Sequence, residues 1–577
     1  MAELMTPAPV LEDPPAHRPT GNLELHLEAH PEAPRLLRLG VASLGLNGLL
    51  DLVGEPLLEV QGQGWEGRLL DDWIPVWESL ACTVTLLAPW GERGFALRLE
   101  PKEPGPLRVL GRVAHLGLRR FREETVDVFF RATHDPWTRS HVLEARTERT
   151  LLALGFQADR EPSQLEWGEQ FAMEWSAGPA TLYVGVAPEA DGARTTALHL
   201  RRVGWEGLLE ATRRKIFALT GGYAGPLEHG YRRHLLLAYF YAQADSLEGE
   251  PVLLTSRSPH YYVSGAYWSR DALLWFFPAL LQADRPRARQ VLRAAFRRYA
   301  RWPGEHAQYL GGPPLYPGFE LDQAAAYPLA LARYLEGGPD PELLAELREP
   351  LEWVFERVRR ERHPSLPLYR TFLSPTDDPV PHPYLTYDNA LWSVALNRLA
   401  PFTPDPAALR EEARQIRESL YRQAVQGGRF VFAFEPGGGF VWGDEPAGSL
   451  MLLPHLGFAS REDFVWQATA LWIMSEENPH HYRARFVGEG SAHFPFPSGF
   501  SLVNRMLSGL RRSAAEAVLA LEQAPLDHGY ACESFDPQTG LARTGVGFAA
   551  LAGFVAYGLA HAGAALAPST RLTQPGL

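Results

Sequence analysis

Along the first third of the chain, apolar and polar positions alternate in short runs. Leu23-Glu24-Leu25-His26-Leu27 and Thr125-Val126-Asp127-Val128-Phe129-Phe130 have the two-residue period of half-buried strands. Thr83-Val84-Thr85-Leu86-Leu87 and Ala180-Thr181-Leu182-Tyr183-Val184 are further short runs bounded by Gly, Pro or charge. Many short strands with turn residues between them predict an antiparallel β-sandwich over residues 22–205. Residues 1–21, rich in Pro and acid, read as a flexible N-terminal segment, and residues 206–225 as a helical linker.

From about residue 226 the period becomes 3.6, and about twelve helical segments follow from apolar spacing and breakers. They start near His229, Ser269, Arg285, Leu321, Pro341, Tyr387, Pro406, Gly448, Arg461, Ser498, Ala514 and Val546. Some are charged on one face, such as 406–424, and others are apolar nearly all round, such as 271–281 and 546–560. A helix apolar on every side is buried. Alternation of the two kinds predicts two concentric rings, an all-α (α/α)6 barrel over 226–565, with 566–577 as a tail. A helical solenoid is the competing layout, but no fixed repeat of the usual length supports it.

Composition narrows the class. At 577 residues, 46% hydrophobic and 21% charged, the chain reads as globular and as more than one domain. A net charge of −13 argues against nucleic acid or an anionic membrane as partner. The two cysteines, Cys82 and Cys532, rule out a disulfide scaffold and a cysteine-based zinc site. No apolar run reaches membrane-span length and no signal-peptide pattern is visible, so a cytoplasmic location is expected. No cofactor is expected, and no catalytic metal, since neither an H-x-x-x-H pattern nor a Cys-His spacing occurs.

The helical half also carries acids flanked by aromatics in the loops before apolar helices: Tyr267-Trp268-Ser269-Arg270-Asp271, Phe319-Glu320-Leu321-Asp322, Thr376-Asp377-Asp378-Pro379, Trp442-Gly443-Asp444-Glu445 and Cys532-Glu533-Ser534-Phe535. A single such acid is ordinarily a cap or a solvated group. Five suggest helix mouths around one pocket, suited to binding and cutting a sugar. Glycosidic cleavage needs one carboxylic acid to protonate the leaving oxygen and one carboxylate acting from the other side. Asp377-Asp378, in a stiff Pro-rich loop, supplies the first candidates. Their adjacency disfavours double ionisation, and the ordinary alternative is an Asp-Pro turn. Glu533, beside a small Cys and between aromatics, is the second. Arg270 and Asp271 offer forked donors and acceptors for sugar hydroxyls, with a salt-bridged helix start as the ordinary reading. Asp322 and Asp444 share that ambiguity, and Tyr267, Trp268, Phe319 and Trp442 are candidate stacking surfaces or core.

At these residues the chain resembles a known group. Tyr267-Trp268-Ser269-Arg270-Asp271 is similar to the W-x-R-D motif of many (α/α)6 glycosidases, glucoamylases included. Further motifs resemble glycoside hydrolase family 125, the metal-independent exo-α-mannosidases. Glu320-Leu321-Asp322 is similar to the family's E-L-D, and Thr376-Asp377-Asp378 with Asn389 to its S-D-D and following Asn. Asp444 with Ser449-Leu450 and Leu453-Pro454-His455-Leu456-Gly457, then Asn478-Pro479 and Gly488-Glu489-Gly490-Ser491-Ala492-His493, keep the family's order. Cys532-Glu533-Ser534-Phe535 is similar to its H-E-S-F, with Cys in place of His. Gly499-Phe500-Ser501-Leu502 departs from its I-W-P segment, and the N-terminal sandwich is more reminiscent of bacterial glucoamylase-like enzymes.

The resemblance implies an inverting, single-displacement hydrolase. One aspartate of the Asp377-Asp378 pair is then the acid and Glu533 the base. Tyr267, Trp268, Arg270, Asp271, Glu320, Asp322, Asn389, Trp442, Asp444 and His493 are the expected sugar-binding residues. An exo-acting α-mannosidase on an oligosaccharide or glycoside is the first reading and an α-glucosidase-, glucoamylase- or trehalase-like enzyme the second. A non-catalytic carbohydrate-binding protein is the rival from another class. The sandwich is expected to pack firmly on the barrel and shape one side of the substrate entrance, with Leu208, Leu209, Ile216 and Phe217 buried at the junction.

Overall fold

The computed structural model describes residues 8–566. The alternating first third forms two antiparallel eight-stranded sheets. One runs in spatial order Arg18–Gly21, His26–Ala29, Arg35–Ser43, Gly48–Val60, Leu107–Arg120, Gln170–Trp175 and Gln164–Glu166, with Arg122–Val126 hairpinned onto Leu107–Arg120. The other runs Phe129–Asp135, Ser140–Arg146, Thr150–Ala158, Ala180–Ala187, Gly94–Pro101, Cys82–Leu87, Ile74–Glu78 and Glu66–Leu70. Leu39, Val41, Leu52 and Val109 of the first sheet share one core with Val84, Leu97, Leu154 and Val184 of the second. The two sheets therefore pack face to face, each contributing its alternate apolar positions.

The strands end at Ala187, earlier than the sequence reading to 205. From there a single helix, α1 (Ala190–Thr220), takes the place of the last predicted strand region and runs on through most of the helical segment expected over 206–225. Ala193, Ala197 and Leu200 give its first half a helical apolar face, and that half lies on the outer face of the second sheet. It comes so close that a Cβ on Gly155 or Gly185 would stand 2.5 or 2.3 Å from the carbonyl oxygen of Ala193. Gly204, at φ 78°, breaks α1 and redirects its second half towards the helical region. There Leu208 and Ile216 are buried and Leu209 half-buried, but Phe217 is 71% exposed. The expectation for Phe217 was wrong because it falls about 100° round the helix from Ile216, outside the buried stripe of Leu208, Thr212, Ile216 and Leu219.

The helical region comprises α2 (Glu228–Tyr241), α3 (Phe277–Ala283), α4 (Arg285–Ala294), α5 (Leu321–Glu336), α6 (Pro341–Arg359), α7 (Thr386–Leu399), α8 (Pro406–Gln423), α9 (Leu453–Leu456), α10 (Phe464–Ile473), α11 (Gly499–Leu507), α12 (Arg511–Gln523) and α13 (Ala549–Leu566). Helices α5, α7 and α11 are buried along most of their length, whereas α4, α6, α8 and α12 bury one stripe. The buried helices pack on one another, α5 on α7 and α13 on both α11 and α2. Asp284, Asp340 and Asp405 cap α4, α6 and α8, each accepting from a backbone N–H of the first turn. No helix among the described residues is long and apolar enough to cross a membrane.

Residues 8–21, expected to be flexible, are built into the structure. Leu11 N–H donates to Arg543 O at 2.7 Å, His17 is buried against Asp527, and Arg18–Gly21 is an edge strand. A proline-rich segment needs few backbone partners, so low apolar content did not prevent docking. Residues 1–7 and 567–577, most of the predicted tail, lie outside the described residues.

Sandwich and helices join through buried polar contacts. Arg119 donates to Asp51 at 2.8 Å within the sandwich and to the carbonyls of Arg257 and Ser258 beyond it. Arg257 donates back to Asn22 O at 2.7 Å, and the Tyr241 hydroxyl hydrogen-bonds to Thr20 O and Leu27 O. Burial opposes charge on Asp51, yet Arg119, His26 and Arg38 hold its carboxyl well below the usual range. Arg119→Met would leave these carbonyls and part of that charge unmatched. It should cost about 3–5 kcal/mol of stability, read as a lowered denaturant midpoint. An unchanged midpoint would show that the junction does not depend on this arginine.

Candidate active site

The first turns of the segment entering α3, Arg270–Phe276, wind as a π-helix, a wide form frequent at functional sites. Arg270 at its start is 1% exposed and reaches three carboxylates. It donates to Glu320 at 2.8 Å, to Asp322 at 3.0 Å and to Asp377. Glu320 stands at the N-terminus of α5 and also pairs with His306 and Gln323. Despite burial, His306 and Arg270 hold Glu320 below the usual carboxylate range, whereas burial pushes Asp322 up. His306, which burial alone would lower, is raised to about 9 by Glu320 and Asp377.

In front of this cluster lies a cavity of about 370 Å³. Arg270, Asp271, Trp268, His306, Asp377, His493 and Glu533 line it. Asp271 is 4% exposed, and burial pushes its carboxyl well above the usual range, against the opposing pull of Arg270. Such a group can donate as well as accept a hydrogen bond. Asp377 sits in the Pro-rich loop at φ 66°, a left-handed conformation that Asp tolerates better than most residues. The adjacent carboxylates diverge, so their mutual repulsion is not the organising feature. Asp377 turns to Arg270, while Asp378 takes a 3.4 Å contact with His493 and a long hydrogen bond from the Thr376 hydroxyl.

Glu533 is 5% exposed and faces the cavity. One of its oxygens accepts from the Tyr262 hydroxyl at 2.8 Å, and the other has no protein partner. Burial raises its carboxyl, partly offset by His493 and Tyr262. Gly545, at φ 58°, runs beside it, where an added Cβ would lie 2.4 Å from the Glu533 Cβ. His493, lowered by burial but raised by Asp378 and Glu533, ends at about 9. It links the two carboxylate-bearing segments through a positive charge.

Several expected sugar-binding residues lie elsewhere. Tyr267 is fully buried and stacks on Tyr299 with ring centroids 3.6 Å apart, a core contact. Glu320 and Asp322 stand behind Arg270 rather than on the cavity wall. Asn389 is consumed by the backbone, bonding both the N–H and the carbonyl of Tyr369 and the carbonyl of Leu385. Trp442 packs between Arg429 and Trp472, and Asp444 accepts from the Ser449 hydroxyl and the Leu450 N–H to close its own loop. In each case the residue meets a partner, whether backbone, aromatic ring or the Arg270 guanidinium, that pattern alone does not reveal.

The sequence reading missed Tyr261, Tyr262 and His306, and the sandwich contribution of Phe121 and Arg122. Phe121 stands at the tip of the hairpin after Leu107–Arg120 at φ 88°, and its N–H donates to Ser264 O at 3.0 Å. Pro9 of the N-terminal segment also reaches the cavity. The one available signal was Ser258-Pro259-His260-Tyr261-Tyr262, an aromatic loop just before Trp268. His306, Glu320 and Asp377 lie close enough together to hold a cation, but the Arg270 guanidinium already donates to both acids.

Residues 354–541 match the family model described as metal-independent alpha-mannosidase, GH125. No curated protein sequence matches the chain. Among solved structures, a bacterial glucoamylase complexed with acarbose aligns over 97% of this chain and 96% of its own, with a TM-score of 0.66 at 10% identity. A metal-independent alpha mannosidase from Streptococcus pneumoniae, in a non-productive complex with alpha-1,6-mannobiose, covers 58% of this chain and 93% of its own. Its TM-score is 0.47 at 19% identity. The GH125 segment contains Asp377, Asp378, His493 and Glu533, and the two-domain fold agrees with a glucoamylase almost from end to end. The chain is a glycoside hydrolase with a GH125-like segment.

Proposed function

We propose that this hydrolase is exo-acting and inverting, removes terminal α-mannosyl residues without a catalytic metal, and closes its helices into an (α/α)6 barrel with the cavity at one mouth. The observation that carries this reading is that Glu533 and Asp377, far apart in sequence, open onto one small cavity. At about 370 Å³ it is at the lower end of the range for ligand pockets, which suits a chain end better than the middle of a polymer.

In the proposed reaction, a water attacks the anomeric carbon as the glycosidic C–O bond breaks. Glu533 takes the water's proton, and Asp377 gives its proton to the leaving oxygen. Asp377 is favoured over Asp378 because it faces the cavity, while Asp378 is turned to His493 and Thr376. Asp271 and the free face of Arg270 bind hydroxyls, and Trp268 and Tyr261 supply apolar surface for the sugar ring. The glucoamylase likeness, which includes the sandwich, supports α-glucosides as the second reading.

Glu533→Gln and Asp377→Asn should each lower kcat by about 10²–10⁴-fold with folding retained, and Asp378→Asn by less. Near-normal turnover by Glu533→Gln would refute the base assignment. A panel of aryl and disaccharide α-mannosides and α-glucosides, followed by NMR, should show mannose released first as the β-anomer. Release of the α-anomer would exclude inversion, and turnover of glucosides alone would establish the second reading.

The pH dependence follows from Glu533. A base must be ionised, so kcat/KM falls as pH drops through its raised pKa. The Tyr262 hydroxyl favours the ionised form, so Tyr262→Phe should move the acid limb to higher pH by about one unit. A limb that stays in place or moves down would remove Glu533 from that role.

A further inference from the structure

Behind the cavity wall, where the N-terminal segment, the first sheet and the 256–264 loop meet, a second group of titratable side chains takes no part in the proposed reaction. His17, Glu28 and His260 each offer one ligand atom, and these atoms lie within 4.8 Å of one another. None of the three lines the substrate cavity. Glu28 is 1% exposed, and neither of its oxygens has a hydrogen-bond partner. His17 is 3% exposed, and its Nδ1, 3.5 Å from Glu28, lacks one too.

The other side of His17 is already arranged. Nε2 is 2.9 Å from Asp527 Oδ1, and Asp527 Oδ2 accepts from Gly547 N–H at 2.8 Å. Without a metal, His17 faces Asp527 through Nε2 and Glu28 through Nδ1 and is the cationic partner of both, so a metal would take the place of the Nδ1 proton. A carboxylate on the far nitrogen is the usual outer-shell partner of a metal-bound histidine. The charges agree. Glu28 and Asp527 are buried acids, and among the described residues neither forms an ion pair with an arginine or lysine. His17 alone, paired with both, leaves one negative charge over, whereas a dication between neutral histidines balances the two acids.

We propose that His17, Glu28 and His260 form a structural binding site for a divalent cation of zinc type, with Asp527 orienting His17. Two imidazole nitrogens and a carboxylate are a common zinc donor set, leaving a fourth position for water. Metal–ligand distances near 2.1 Å put donors about 3.4 Å apart, so the three close around the ion with shifts of about 1 Å. The site ties residues 8–17 and strand His26–Ala29 to the loop bearing Tyr261 and Tyr262. It also ties them to the 526–528 turn that precedes Glu533. It acts on stability and on the set of the pocket wall, not on the reacting atoms, so it does not rest on the identity of the sugar.

The test uses the untagged full-length chain, stripped with a chelator, dialysed and titrated with zinc. One zinc per chain should bind, and the Tm of the stripped protein should rise with zinc concentration, as for a ligand selective for the folded state. His260, half-buried, is the variant of choice, since His17 and Glu28 variants risk misfolding. His260→Ala should fold, bind zinc at least about tenfold more weakly, and lose the zinc-dependent rise in Tm. Substitution by cobalt(II) should give the visible bands of a low-symmetry four-coordinate site in the parent chain only. Below the melting temperature, kcat of the stripped protein should match that of the loaded one. Absence of stoichiometric zinc binding, or the same affinity in His260→Ala, would overturn the proposal. A collapse of kcat on stripping with Tm unchanged would overturn its structural character.

Discussion

One buried guanidinium organises the cavity floor. Arg270 has almost no contact with water, so its charge persists only because Glu320, Asp322 and Asp377 surround it. These acids arrive on two segments: Glu320 and Asp322 at the start of α5, and Asp377 in the Pro-rich loop. Fixing Arg270 therefore ties its own helix start to two other loop ends. The cluster holds more acid than its cations can match, so ionisation is unevenly shared. Glu320, backed by His306, is held low, while burial pushes Asp271 and Asp322 up. Of those two, only Asp271 reaches the cavity. The network thus presents a carboxyl that burial pushes towards its protonated form beside a fixed positive charge.

The opposite wall depends on the sandwich. The loop carrying Tyr261 and Tyr262 is held from one side by Arg119, which donates to the carbonyls of Arg257 and Ser258 and to the Ser264 hydroxyl. From the other side, the Ser256 hydroxyl donates to Gly547 O, and Ala550 N–H donates to Thr255 O. Tyr262 in turn holds one oxygen of Glu533. A strand far from the chemistry in sequence is thereby two contacts from the proposed base. Phe121 and Arg122 extend the same domain onto the cavity rim, so the sandwich is part of the site and not an appendage.

The sequence by itself determined the two kinds of architecture, because period is local: alternation marks strands and a 3.6-residue return marks helices, wherever they later pack. It also named Arg270, Asp271, Asp377, His493 and Glu533, which the fold brings to one cavity. It did not separate these from Asn389, Trp442 and Asp444, which share the same motif context but spend their polar groups or rings on neighbours. Whether a carboxylate faces a cavity or a backbone N–H depends on contacts across tens or hundreds of residues, and no local pattern encodes them. The helix from Ala190 was missed for a related reason. Its apolar face is short and is completed only by the glycines of the sheet beneath it. Tyr262, His306 and Phe121 became site residues only when separate segments converged, since burial and charge pairing are properties of the assembled fold.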